Sequence, residues 1–238
     1  MKNVLLCAIG VGGATMIGAL MGVVVRDGAR RHYHAIASIA AGVMLYAAFS
    51  GLIVPAFDTG GFATALAAMG LTAGAVCISL AECIMPEESR TGGTYSAILP
   101  AIAMAVHNLP EGIAAGLSFG TGSTGDAIAV TLGIALHNLP EGMITVFPMI
   151  CAGIKPRRAI ILSLSVAASE IAGTLLGYLA SEVAEPTLPF TLAFAGGTML
   201  FVIIEEMLPT SFEYGGRRTA FLVILGACAM GVLGALIS

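Results

Sequence analysis

A six-residue segment occurs twice in the sequence, as His107-Asn-Leu-Pro-Glu-Gly112 and His137-Asn-Leu-Pro-Glu-Gly142, offset by 30 residues. The chain has four histidines, and the two copies use half of them. On a helix, a His and Glu four apart and an Asn and Glu three apart project from one face. Each copy thus aims an imidazole, a carboxamide oxygen and a carboxylate at one point. Both copies lie midway along apolar stretches, where an unpaired carboxylate costs roughly 2.5 to 3.5 kcal/mol on insertion scales. No Lys or Arg occurs at that depth, so the counter-charge is a cation or protons. Neutral imidazole nitrogen with carboxylate and amide oxygen suits a borderline divalent ion such as Zn2+, Fe2+, Mn2+ or Cd2+, and the lack of thiolate argues against Cu(I). A hydrogen-bond network joining two helices is the plainer reading, but it does not call for two ionisable groups per helix at the costliest depth. Glu170, in Ser169-Glu-Ile-Ala-Gly173, adds a third mid-stretch acid and room for a second ion. Its plainer reading is a protonated, hydrogen-bonded side chain.

The elements that must position these groups follow from composition. Of 238 residues, 58% are hydrophobic and only 10% charged, with a mean hydropathy of +0.97. A soluble domain carries roughly 25% charged residues, so most of this chain's surface faces lipid. The net charge of −4 and pI near 5.5 leave no basic surface for nucleic acid. Apolar stretches run over 4–25, 35–57, 62–84, 97–119, 127–152, 159–181, 190–208 and 219–237. Lengths near 20 residues exclude a lipid-embedded barrel and predict eight transmembrane helices. The connectors carry Gly and Pro and are too short to separate domains, which predicts a single transmembrane domain over residues 1–238. Nine of ten basic residues fall in alternate loops: Arg26, Arg30 and Arg31 in loop 1–2, Arg90 in loop 3–4, Lys155, Arg157 and Arg158 in loop 5–6, and Arg217 and Arg218 in loop 7–8. Short basic loops stay in the cytoplasm, so both termini are expected outside. The first stretch is too long for a signal peptide and ends in Arg26-Asp27 rather than at small residues. Five cysteines, odd in number and within or at the ends of the stretches, point to packing rather than to disulfides.

Helices 4 and 5 are consecutive, so the two hexapeptides meet antiparallel about an in-plane pseudo-two-fold. Pro110 and Pro140 are expected to break their helices near the midplane. A second similarity relates Ala41-Gly-Val-Met-Leu-Tyr46, followed by Pro55, to Gly196-Gly-Thr-Met-Leu-Phe201, followed by Pro209. Such weak likeness between halves is what inverted three-helix repeats leave behind. Gly18 and Gly22 are expected to allow tight helix packing.

With these motifs the chain resembles the bacterial branch of the ZIP (Zrt-, Irt-like protein) family of divalent metal transporters. The resemblance rests on the His-Asn-x-Pro-Glu-Gly motif of helix 4, the His-x-x-Pro-Glu motif of helix 5 and the acid of helix 6. It implies inverted repeats of helices 1–3 and 6–8 around helices 4 and 5, and a binuclear metal centre. His107, Glu111, His137 and Glu141 would form one site. Asn108, Asn138 and Glu170 would complete the other, with the two glutamates bridging. Met44 stands where the family's helix 2 can add a soft ligand, although a Met in an apolar helix is commonly core filler. A His-rich loop between helices 3 and 4, found in many eukaryotic members, is absent from Pro86-Glu-Glu-Ser-Arg-Thr-Gly-Gly93.

The expected function is import of Zn2+, or of Cd2+, Fe2+ or Mn2+, into the cytoplasm by alternating access through the midplane site. Protons compete for its ligands, so uptake should depend on pH. The partners are the metal cargo and membrane lipid, with a homodimer as a candidate assembly. Glu82, Cys83, Glu87 and Glu88, and Glu205 and Glu206 at the end of helix 7, are candidate inner-mouth ligands, although solvated helix ends read the same way. Acids outnumber bases in the outer loops, with Asp58, Asp126, Glu182 and Glu185 against Lys2, which favours cations at an entrance. His32 and His34 read as solvated or headgroup neighbours. A membrane-embedded metal-dependent hydrolase is the alternative. It would need an open coordination position and a free general base, and no His-Glu-x-x-His helix supplies them.

Overall fold

A computed structural model describes residues 2–58, 60–84, 94–119 and 124–237. Among them the chain forms eight long helical rods and no strand. These are α1 (Lys2–Val24), α2 (26–57), α3 (Gly61–Ile84), α4 (Thr94–Ser118), α5 (Thr124–Cys151), α6 (Pro156–Ala184), α7 (188–215) and α8 (Arg217–Ile237). Seven of them, all but α4, contain described stretches long and apolar enough to cross a membrane. Neither α6 nor the first part of α7 has a distinct apolar face, as expected of helices surrounded by apolar matter on every side. Large apolar side chains such as Leu6, Ile9, Phe62, Leu179, Phe221 and Leu236 are exposed.

The helices pack as two groups. In one, α4 lies along α6, and α1 lies along α5 and α6; in the other, α3 lies along α7 and α8 along α2. Close packing depends on glycines set against a neighbouring backbone. A methyl group on Gly112 would meet the Glu170 carbonyl oxygen, and one on Gly142 would meet that of Thr15. Gly173 and Gly18 sit likewise against the carbonyls of Leu109 and Leu139, and Gly177 and Gly22 against Ile113 and Met143. These contacts come in pairs. Thr15 and Glu170 are 155 positions apart, as are Gly18 and Gly173, and Gly22 and Gly177; their partners on α4 and α5 keep the 30-residue offset of the hexapeptides. The tight packing expected of Gly18 and Gly22 is thus present.

Several expectations are corrected. α4 and α5 run unbroken through Pro110 and Pro140. Each proline removes one amide donor, and the remaining helical hydrogen bonds carry the rod across the gap. The irregularities fall instead in α2 and α7, as π-helical turns at Ala48–Ile53 and Ile203–Met207. There the Val54 and Leu208 amides bond to the carbonyls of Phe49 and Ile203, five residues back. Pro55 and Pro209 follow at once, so a widened turn absorbs the proline in both rods. Arg26, Arg30 and Arg31 lie in the first turns of α2 rather than in a loop, because Val25 alone separates α1 from α2. The cysteines are free thiols, but Cys77, Cys83, Cys151 and Cys228 are exposed rather than packed inside. The loop residues 86–93, with Glu87, Glu88 and Arg90, lie outside the described residues.

Candidate metal centre

The hexapeptides occupy the middles of α4 and α5, where Pro110 and Pro140 sit beside glycines that let α6 and α1 approach. Glu111, His137 and Glu141 each turn a ligand atom to a shared point, all within 4.8 Å of one another, and all three are buried. His137 Nε2 is 3.2 Å from Glu111 Oε2. His107 Nε2 is 3.7 Å from Glu141 Oε1, so the arrangement is reciprocal between the two helices.

The hydrogen bonds show what this cluster needs. His137 Nδ1 lies 3.1 Å from the Gly133 carbonyl oxygen, which can only accept, so Nδ1 carries the proton. A neutral ring then points the Nε2 lone pair at a carboxylate oxygen, and two acceptors 3.2 Å apart repel unless a cation or proton lies between them. A ring nitrogen tied to a backbone carbonyl is also how metal-binding histidines are oriented. Further acceptors are buried without a hydrogen-bond partner among the described residues: Glu111 Oε1, both Glu141 carboxylate oxygens and the amide oxygens of Asn108 and Asn138. Leaving such groups unpaired costs about 1–3 kcal/mol each, more when charged. The donor set of carboxylates, imidazoles and amide oxygens therefore fits a divalent cation.

Glu170 is fully buried on α6. Its Oε1 accepts from Asn138 Nδ2 and its Oε2 from the Thr15 hydroxyl at 3.1 Å. Asn138 Nδ2 also faces the Val11 carbonyl at 3.4 Å. Glu170 is thus tied to the centre through Asn138. Met44 is fully buried in an apolar cluster with Ala48, Ala114, Ile144 and Met199. Thr15 was not singled out by sequence reasoning. A signal existed: the separation that relates Met44 to Met199 also relates Thr15 to Glu170.

Two cavities lie between the helix groups at opposite ends of α2. The first, about 500 Å3, is lined by Tyr46, Ser50, Gly51, Pro55 and Met230 and reaches His137. The second, about 510 Å3, is lined by Tyr33, His34, Glu206, Thr210 and Ser211, and by Met104, Ile144 and Val202. Met104 and Ile144 are one helical turn from His107 and Glu141, so apolar side chains stand between this cavity and the cluster. His34, expected to be solvated, lies half-buried in the second cavity because α2 begins at Arg26. Glu205 is exposed on another face, and nothing is described of the Glu82 side chain.

Comparison with known proteins gives consistent matches. A family described as ZIP zinc transporter matches residues 85–234. The zinc transporter GufA of Myxococcus xanthus is 34% identical over 184 residues, covering 71% of this chain and 72% of that protein. The zinc transporter ZIPB of Bordetella bronchiseptica is 31% identical over 235 residues, covering 91% and 75%. The zinc transporter ZupT of Corynebacterium glutamicum is 30% identical over 244 aligned positions, covering 91% and 92%.

Proposed function

The chain belongs to the ZIP zinc transporter family, and we propose that it imports zinc and similar divalent cations through the centre formed by α4, α5 and α6. It is a multi-pass membrane protein and a transporter rather than an enzyme. The observation that carries the reading is the buried trio Glu111, His137 and Glu141, whose ligand atoms all lie within 4.8 Å of one another. His107, Glu111, His137 and Glu141 hold one ion; Asn108, Asn138 and Glu170 hold a second, with Glu111 and Glu141 shared. Met44 adds a thioether to the first. Zn2+ is the principal cargo, with Cd2+, Fe2+ and Mn2+ as further candidates for the same donors.

The whole of residues 1–238 forms one transmembrane domain of eight spans. Helices α1–α3 and α6–α8 are inverted repeats, a relation supported by the paired contacts at constant offset. The termini face outward, since the basic residues cluster where α2, α6 and α8 begin. The first cavity then faces outside and the second the cytoplasm. Because all the buried polar ligands lie in one helix group and both cavities lie between the groups, relative displacement of the groups exchanges the centre between the two cavities. The exposed apolar residues face lipid, and two copies assemble as a homodimer. Zinc uptake into proteoliposomes loaded with a fluorescent indicator tests the reading. Glu111→Ala should reduce uptake to that of protein-free liposomes, and wild-type uptake by this variant would overturn it.

A further inference from the structure

The α1 helix carries no member of the repeated motif, yet it touches the centre twice. The Thr15 hydroxyl donates to Glu170 Oε2 at 3.1 Å, and the Val11 carbonyl oxygen stands 3.4 Å from Asn138 Nδ2. Positions 11 and 15 are one turn apart, on one face of the helix. Asn138 Nδ2 faces two acceptors, Glu170 Oε1 and the Val11 oxygen, so both amide protons have a destination. The amide oxygen Oδ1 is buried and has no hydrogen-bond partner among the described residues.

We propose that Thr15 is a positioning residue of the transport centre, holding the Glu170 carboxylate and, through it, the Asn138 amide in the orientation that presents Oδ1 to the cation. This rests on the metal-centre reading above. The chain of contacts is directional. Thr15 occupies one oxygen of Glu170, which turns the other toward Asn138. That oxygen draws the amide nitrogen toward α6 and fixes the amide so that oxygen, not nitrogen, faces the remaining space. Were the amide reversed, its oxygen would face the carboxylate and the Val11 carbonyl, three acceptors together. Asn108 gives the contrast. Its place is equivalent to that of Asn138, but neither of its amide atoms has a hydrogen-bond partner among the described residues.

The internal similarity explains why a hydroxyl stands here. Thr15 and Glu170 place their carbonyls against Gly142 and Gly112 in the same way and are separated by the offset that relates α1 to α6. Thr15 is therefore the counterpart of Glu170. With threonine in place of an acid, α1 gives a donor to the one acid that α6 provides and brings no fourth carboxylate into the centre.

The test uses the full chain in proteoliposomes. Thr15→Val keeps the side chain's shape and removes the donor, whereas Thr15→Ser keeps the donor. Thr15→Val should raise the apparent KM for Zn2+ about 10-fold, in the range seen when a group orienting a metal ligand is lost. Thr15→Ser should stay within about twofold of wild type, as expected of a retained donor. Both should unfold in detergent at the wild-type temperature. In a Glu170→Ala background Thr15→Val should add no further change in KM, because both carboxylate oxygens, including the one Thr15 serves, are gone. A wild-type KM for Thr15→Val would overturn the proposal, as would an equal rise in KM for both Thr15 variants with a parallel loss of thermal stability. Glu111→Ala in the same preparation separates the two readings. If it abolishes uptake while Thr15→Val transports normally, the centre stands and only the role of Thr15 falls; if Glu111→Ala transports normally, the centre itself is wrong.

Discussion

The two hexapeptides are identical in sequence and differ in what surrounds them. His137 is anchored through Nδ1 to the Gly133 carbonyl, while His107 makes no hydrogen bond through either ring nitrogen among the described residues. Asn138 is held by Glu170, while neither amide atom of Asn108 has a hydrogen-bond partner among the described residues. The first cavity reaches His137, while the lining of the second includes Met104 of α4 and Ile144 of α5 but not His107. The difference continues into α2 and α7. Both carry a π-helical turn ahead of a proline, but at equivalent cavity-lining positions α2 has Gly51 and α7 has Glu206. A nearly symmetric backbone thus holds an asymmetric set of donors. The α5 side anchors His137 and Asn138 and opens to the first cavity, while on the α4 side the His107 ring and the Asn108 amide make no hydrogen bond among the described residues. Symmetry brings two helices' ligands to one point, and asymmetry gives the point two unlike faces.

The comparison can be broken most directly at the shared carboxylates. Glu111 and Glu141 are equivalent by the repeat and both bear on the same point, so Glu141→Ala should abolish zinc uptake as completely as Glu111→Ala. Substantial transport by one variant alone would show that the two copies do not share a single centre. The backbone symmetry is tested by stability. Gly112→Ala and Gly142→Ala each force a methyl group toward a carbonyl oxygen and should destabilise the protein by similar amounts, about 1–3 kcal/mol, as overpacking does. Thermal unfolding in detergent reads this, and a large loss for one variant with none for the other would contradict equivalent packing. Glu170 has no acidic counterpart in α1. Glu170→Gln should weaken apparent zinc affinity about 10-fold while leaving some transport, on the scale of losing an ordered partner of a ligand. The smallest effect is expected at Met44. Met44→Leu should lower Cd2+ uptake about twofold and leave Mn2+ uptake unchanged, since thioether sulfur favours the softer ion. Equal uptake of both ions by this variant would reduce Met44 to core packing.

Much of this was legible in the residues themselves. Charge scarcity and eight apolar stretches predicted the helical membrane class, and the hexapeptides predicted which side chains meet. The boundaries of α2 were not legible, because a basic run that reads as a loop continues the helix from Arg26. Nor were the π-helical turns: Pro55 and Pro209 mark a disturbance, but Pro110 and Pro140 carry the same mark within unbroken helices. A proline removes one donor wherever it stands, and the packing around it decides whether the rod widens.

The sequence alone determined the solvent, the helices and the ligand types, since these follow from composition and from spacing along one helix. Tertiary structure decided which helix faces which. In rods that are apolar on every side, periodicity does not mark a buried face, and the meeting of Thr15 with Glu170 across 155 residues leaves no local trace. The tautomer of His137, the orientation of the Asn138 amide and the reach of each cavity were settled there, because each depends on a carbonyl or side chain brought in by packing.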